Sequence, residues 1–136
     1  MSVRGGRRTV KAQDEAAAGE LRIHHLALRA RDVGETVAFY RDVLGLHEVR
    51  AARPQSVWLA LSDGSVMMVE ARSASEPAVP VGSLELFALR VTAARKSEIR
   101  ARALARGCFD GETEHTVYLR DPDGRRVGVS TYPLNF

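Results

Sequence analysis

Ile23-His24-His25-Leu26-Ala27-Leu28-Arg29-Ala30 returns further along the chain as Leu84-Glu85-Leu86-Phe87-Ala88-Leu89-Arg90-Val91, with its Ala-Leu-Arg centre unchanged. A second pair follows in the same order. Asp63-Gly64 leads into Ser65-Val66-Met67-Met68-Val69, and Asp123-Gly124 leads into Arg125-Arg126-Val127-Gly128-Val129. The first pair is offset by 61 residues (His25 to Leu86) and the second by 60 (Gly64 to Gly124), so one residue of slippage relates the two halves. Each copy of such a repeat is one supersecondary unit that needs a partner to bury its apolar face. The copies also differ in a telling way: His25 in the first stands where the second has Leu86.

Within copy one, Leu21–Ala30 alternates as a strand, with Ile23, His25, Ala27 and Arg29 on one face and His24, Leu26, Leu28 and Ala30 on the other. Asp32 is a helix N-cap and Glu35 suits a capping box. Val33, Val37, Tyr40 and Leu44 recur at helical spacing, and Gly45 supplies a C-terminal stop. Leu46–Arg50, Ser56–Leu61 and Val66–Glu70 read as three short strands, separated by Arg53-Pro54-Gln55 and by the turn Ser62-Asp63-Gly64-Ser65. Copy two repeats the series. It has a strand at Leu84–Val91, a helix near Ala94–Arg106 with Ile99, Ala103 and Leu104 inward, and strands at Cys108–Gly111, Thr116–Arg120 and Arg126–Ser130. Asp121-Pro122-Asp123-Gly124 is a strong turn. Both copies are thus β-α-β-β-β, and the class is α+β.

The predicted layout is an N-terminal tail over residues 1–20 without fixed structure, one domain over 21–133, and a short end at 134–136. The domain divides into module one (21–71), a Pro- and small-residue-rich linker (72–82) and module two (83–133). A hydrophobic content of 45% is ample for a core, and no run approaches the roughly 18 apolar residues of a membrane span. The opening residues lack an apolar stretch and do not read as a secretory signal. The single Cys108 excludes an internal disulfide and fits a reducing, cytoplasmic setting. The formal charge is +3, but Arg4, Arg7, Arg8 and Lys11 fall in the tail. The other arginines are scattered among acids, which argues against nucleic-acid binding.

The helix of each unit shields one sheet face, and the other face must be buried or line a cavity. Two units side by side give a curved eight-stranded mixed sheet enclosing a cleft suited to a small molecule. The helix-facing set should be the more aliphatic one. That set in the first strand is Leu26, Leu28 and Ala30, so His25 points into the cleft.

His25-Leu26-Ala27-Leu28-Arg29, Phe39-Tyr40-Arg41-Asp42-Val43-Leu44-Gly45-Leu46 and Val117-Tyr118-Leu119-Arg120-Asp121-Pro122-Asp123-Gly124 together resemble the vicinal oxygen chelate superfamily. Glyoxalase I, fosfomycin-resistance enzymes, extradiol dioxygenases and bleomycin-resistance proteins belong to it. The resemblance spans roughly Leu21 to Pro133. It implies paired βαβββ modules, commonly a homodimer, and a divalent metal in the cleft. It further implies metal ligands at four equivalent strand positions, which fall here on His25, Leu86, Met68 and Gly128. Of these only His25 binds a hard divalent ion well, because a thioether is soft and Leu and Gly offer no side-chain donor. Glu70 shares the strand face of Met68, and His115 precedes the Tyr118 strand, so a His25/Glu70 set completed by water or His115 is the metal alternative.

Trp58 and Tyr118 occupy corresponding third-strand positions and read either as core or as an aromatic wall. Met68, Leu86 and His115 complete the candidate ligand-binding set, with His25 and Glu70 as candidate catalytic groups. Three classes of function follow. The first, which the missing ligands favour together with the third and which the retained His25 and Glu70 support, is a cofactor-free protein holding an aromatic or hydrophobic small molecule. The second is a divalent-metal lyase or dioxygenase using His25 and Glu70, and the third is a non-catalytic scaffold subunit.

Overall fold

The computed structural model describes residues 20–49, 53 and 55–135. The expected N-terminal tail lies outside these, apart from residue 20. Strand β1 (His25–Ala30) leads to helix α1 (Val33–Asp42), and then to β2 (His47–Glu48), β3 (Ser56–Ala60) and β4 (Val66–Ala71). Module two repeats the order as β5 (Leu86–Arg90), α2 (Ala93–Arg106), β6 (Phe109–Glu112), β7 (Thr116–Arg120) and β8 (Arg126–Ser130). The strands form two four-stranded sheets, ordered β1-β4-β3-β2 and β5-β8-β7-β6. In each, the first strand runs parallel to the last and the other pairs are antiparallel. The βαβββ repeat is therefore present in three dimensions as well as in sequence.

The caps explain why the helices sit where they do. Asp32 Oδ1 accepts from the Glu35 N–H at 3.0 Å and the Asp32 carbonyl from the Thr36 N–H at 3.1 Å, satisfying two donors of the first turn. Thr92 Oγ1 does the same for the Arg95 N–H at 3.1 Å. At the far end of α2, Gly107 adopts φ +72°, and Cys108 N donates to Ala103 O at 3.0 Å, closing a left-handed cap.

Several strands are shorter than their alternation suggests, because a strand is only as long as the neighbour it pairs with. β1 begins at His25, not Leu21, since its partner β4 begins at Val66. β2 shrinks to two residues at the outer edge, and β6 starts at Phe109 because Cys108 is engaged in the helix cap. Leu104, expected to face inward, is 49% exposed, while Ile99 and Ala103 carry the buried stripe of α2.

One continuous apolar core spans both modules. Leu28, Ala30, Leu59, Met67 and Val69 meet Val37, Tyr40 and Val43 of module one, and Val117, Leu119, Val127, Val129, Ile99 and Ala103 extend it into module two. Phe87 stacks on Tyr40 with ring centroids 6.4 Å apart. Burying such side chains is worth roughly 1.5–3 kcal/mol each, so the shared core holds the modules together.

Polar contacts fix their register. Asp123 accepts from the Arg31 N–H at 2.9 Å and from Thr36 Oγ1 at 3.1 Å. Arg95 and Arg102 of α2 donate to the Leu44 and Val43 carbonyls at 3.2 and 3.1 Å. The modules thus meet through α1, α2 and the Asp121–Gly124 turn, on the helix side of both sheets.

Candidate functional site

The sheet faces turned away from the helices carry the candidate residues other than His115. Register places His25, Val66 and Ala60 in one cross-strand row of the first sheet, Ala27, Met68 and Trp58 in the next, and Arg29, Glu70 and Ser56 in the third. The second sheet has the matching rows Leu86–Arg126–Arg120, Ala88–Gly128–Tyr118 and Arg90–Ser130–Thr116. Trp58 and Tyr118 are therefore true equivalents, each beside the strand position that follows the turn glycine by four residues. Both are half-buried and lie on the open faces, outside the fully buried core.

His25 sits at the entrance of its sheet, exposed, with its Nδ1 3.0 Å from His24 Nδ1. A contact between two ring nitrogens requires one to donate and the other to accept. Its equivalent Leu86 is 41% exposed. Met68 is half-buried between Ala27 and Trp58, whereas Met67 is wholly buried in the core.

Glu70 is not free to act as a lone carboxylate. Arg29 Nη1 donates to it at 3.3 Å, while the same guanidinium holds Glu76 of the linker through two bonds of 2.9 and 2.8 Å. The hydrogen bond from Arg29, followed by the Ser73 N–H at 2.8 Å, depresses the Glu76 carboxyl to about 2. Arg29 is raised in turn, chiefly by its hydrogen bond to Glu76. The group is a clasp that fastens residues 73–76 to the end of β1.

His25 and Glu70 are not brought together. His25 pairs with Val66 and Glu70 with Arg29, four positions apart, which is roughly 13 Å along the strands. His115 is elsewhere again. It precedes β7 with the parity of Val117, opposite to Tyr118, and its ring packs edge-on against Tyr132 at 5.2 Å. Its carbonyl accepts from the Thr131 N–H at 2.9 Å, a structural contact to the C-terminal segment.

The four positions at which the resemblance implies metal ligands offer one donor, His25. At Gly128 a side chain would be tightly placed, because a Cβ would lie 3.2 Å from Ala88 Cβ and from Thr116 Cγ2 and both would have to give way. Among the described residues, no group of three His, Cys, Asp or Glu side chains is placed to hold a metal ion. The residues present do not fit a hard divalent ion at this position, whose ligands must converge at about 2.0–2.2 Å.

One feature of the second face escaped the sequence reading, which treated the arginines as scattered. Arg120 and Arg126 stand directly opposite each other in the β7–β8 hairpin. Both Nε atoms donate to Asp110 Oδ2, at 2.9 and 3.0 Å, and the Arg126 guanidinium lies 4.0 Å above the Tyr118 ring. The signal was available: Arg120 and Arg126 flank the five-residue connection 121–125, and residues that stand opposite each other across a hairpin share a face.

Comparison with known proteins agrees with this architecture. The family model described as Glyoxalase/Bleomycin resistance protein/Dioxygenase superfamily matches residues 22–129. No curated protein matches the chain. Among solved structures, a lactoylglutathione lyase from Agrobacterium tumefaciens is 26% identical, with a TM-score of 0.61, over 80% of this chain and 92% of that one. A glyoxalase/dioxygenase from Nostoc punctiforme is 19% identical with a TM-score of 0.70, over 86% and 95% of the two chains. A fosfomycin resistance protein mutant from Listeria monocytogenes, complexed with Mn(II) and 1S,2S-dihydroxypropylphosphonic acid, is 15% identical with a TM-score of 0.68, over 83% and 91%. Among the described residues no helix is long and apolar enough to cross a membrane.

Proposed function

The chain belongs to the Glyoxalase/Bleomycin resistance protein/Dioxygenase superfamily, and from that premise we propose that it is a metal-independent small-molecule-binding member, holding an aromatic or hydrophobic ligand between the open faces of a first and a second module. The observation that carries this reading is the donor set: His25, Met68, Leu86 and Gly128 stand where a chelating member has ligands. What remains on the first face is a surface for an apolar body. Trp58 and Met68 lie side by side, with His25 at the entrance as a hydrogen-bonding group.

The site needs a second copy to close. β1 and β5 are outer strands of their sheets, and the equivalent residues Ile23 and Leu84 just ahead of them are 64% and 71% exposed. Apolar side chains beside unpaired strand edges favour pairing with another sheet. Homodimerisation would set the first-module face of one copy against the second-module face of the other. The single Cys108 supports a cytoplasmic setting.

Metal analysis of the purified protein, with sizing in solution, tests this reading. A dimer without stoichiometric divalent metal is expected. The alternative, a divalent-metal lyase or dioxygenase, draws on the retained His25 and on the 26% identity to a protein named as a lactoylglutathione lyase. A stoichiometric ion lost on His25→Ala would replace the first reading with that one.

A further inference from the structure

We propose that Arg126, supported by Arg120 and Asp110 on the open face of the second sheet, seats a carboxylate group of the ligand. This rests on the reading of that face as one wall of the ligand site.

The argument starts from an electrostatic conflict. Like charges directly opposite on one sheet face are destabilising, yet Arg120 and Arg126 are cross-strand partners. One carboxylate, Asp110, answers both guanidinium groups through a single oxygen. Two cations and one anion leave the cluster a net positive charge with both arginine side chains largely buried, at 23% and 19% exposure. An incoming anion would supply the missing charge.

The two arginines are not equivalent. Arg120 Nη1 is committed to the Ser83 and Gly124 carbonyls, at 2.6 and 3.1 Å, and so anchors the start of module two and the turn. Arg126 turns only one edge to Asp110: its Nε to the carboxylate, and its Nη2 to the Asp110 carbonyl at 3.4 Å. Its other edge, Nη1 with the outer N–H of Nη2, has no acceptor among the described residues. Two parallel N–H groups in one plane match the two oxygens of a carboxylate. The Tyr118 ring beneath holds that plane in place, so little side-chain entropy is lost when an anion docks.

The repeat shows that this is particular to one face. The positions equivalent to Arg120 and Arg126 in module one are Ala60 and Val66, which are apolar. A ligand spanning the two faces would therefore set an apolar part against Trp58 and Met68 and an anionic part at Arg126.

Titration of the full-length protein with phenylacetate, phenylacetamide and phenylphosphonate, followed by NMR of the arginine side-chain 15N signals, tests the assignment. Phenylacetate should bind saturably and shift the Arg126 signals, with the neutral amide at least tenfold weaker. Arg126→Gln should weaken phenylacetate at least tenfold and leave phenylacetamide unchanged. Arg126→Lys, which keeps the charge opposite Asp110 but loses the fork, should also weaken it and covers the case in which the glutamine variant fails to fold. Trp58→Ala should weaken both the acid and the amide, reporting on the two-face reading separately. Phenylacetate affinity unaltered in either Arg126 variant would overturn the carboxylate seat while leaving the cleft reading intact. So would absence of phenylacetate binding to the wild type, or a preference for phenylphosphonate. An effect of Arg126→Gln without any effect of Trp58→Ala would keep the seat and remove the apolar wall.

Discussion

Tyr40 Oη donates a 2.8 Å hydrogen bond to Asp121 Oδ2, joining the buried face of α1 to a turn 81 residues further along the chain. The Asp121 carboxylate also takes the Arg125 guanidinium at 2.6 Å and the Asp123 and Arg125 N–H groups at 2.9 and 3.0 Å. Arg125 in turn donates to the Arg29 carbonyl at 3.1 Å, so the turn is tied to both β1 and α1. A hydrogen bond to a buried charged group is worth about 1.5–3 kcal/mol, and Tyr40→Phe should lose that much in chemical denaturation. Removing the anion leaves the Arg125 charge uncompensated, so Asp121→Ala should cost more, about 3–5 kcal/mol. A double variant that loses the plain sum of the two would contradict direct coupling.

The same pair sets an alkaline limit. Burial first, and the Asp121 charge second, push the Tyr40 hydroxyl well above its ordinary range. A raised folded-state value means that the stability is complete below the unfolded value near 10 and is lost as pH rises beyond it. The unfolding midpoint should fall above about pH 10, and Tyr40→Phe should flatten that limb of the profile.

At the acid end the clasp on the linker should open. Glu76 is depressed from 4.5 to about 2 by the Arg29 hydrogen bond and then by the Ser73 N–H. A depressed carboxyl contributes stability above its unfolded value, and this is lost as pH falls from 4.5 through about 2. Limited proteolysis with an acid-active protease should show cleavage near residues 73–76 rising across that window. With a protease active at neutral pH, Glu76→Gln should be cleaved there more readily than the wild type.

Two glycines with the same backbone sign should respond differently to alanine. Gly107 has φ +72° with open space around it, so Gly107→Ala should cost about 1–2 kcal/mol from the left-handed conformation alone. Gly45 has φ +81°, and a Cβ there would collide with the Arg95 guanidinium, which bonds to the Leu44 carbonyl. Gly45→Ala should cost more than Gly107→Ala, and Arg95→Ala should bring the two values together. Equal costs in the wild-type background would show that the Arg95 contact is immaterial.

Introducing an acidic residue at the last-strand position should not create a chelating site. Gly128→Glu must push aside Ala88 and Thr116, an overpacking cost of about 1–3 kcal/mol, and His25 would remain its sole strong partner among the four positions. Calorimetric titration with Zn(II) or Mn(II) should show no site dependent on both residues.

Register put Trp58, Met68 and Tyr118, which read equally as core, on open faces, whereas the repeat, the α+β class, the N-cap at Asp32, the Gly107 stop and the parity that turns His25 away from the aliphatic face of β1 were all legible in the sequence. They depend on local periodicity and on turn and cap chemistry, which act over a few residues. The thin donor set came from the family resemblance, which implies the four strand positions, read together with the residues that the two copies carry there. Only the tertiary structure decided which polar groups meet. Alternation places Glu70 on the face of Met68, but register sets it opposite Arg29 and roughly 13 Å from His25. The Asp121–Gly124 turn reads locally as a hairpin connection, yet its carboxylates close onto Tyr40, Thr36 and the Arg31 N–H from the other module. Arg120 and Arg126 become one cationic cluster only when the β7–β8 register sets them across from each other with Asp110 between. Such pairings depend on how one strand or module is aligned with another, and that alignment is fixed by the packing of the shared core.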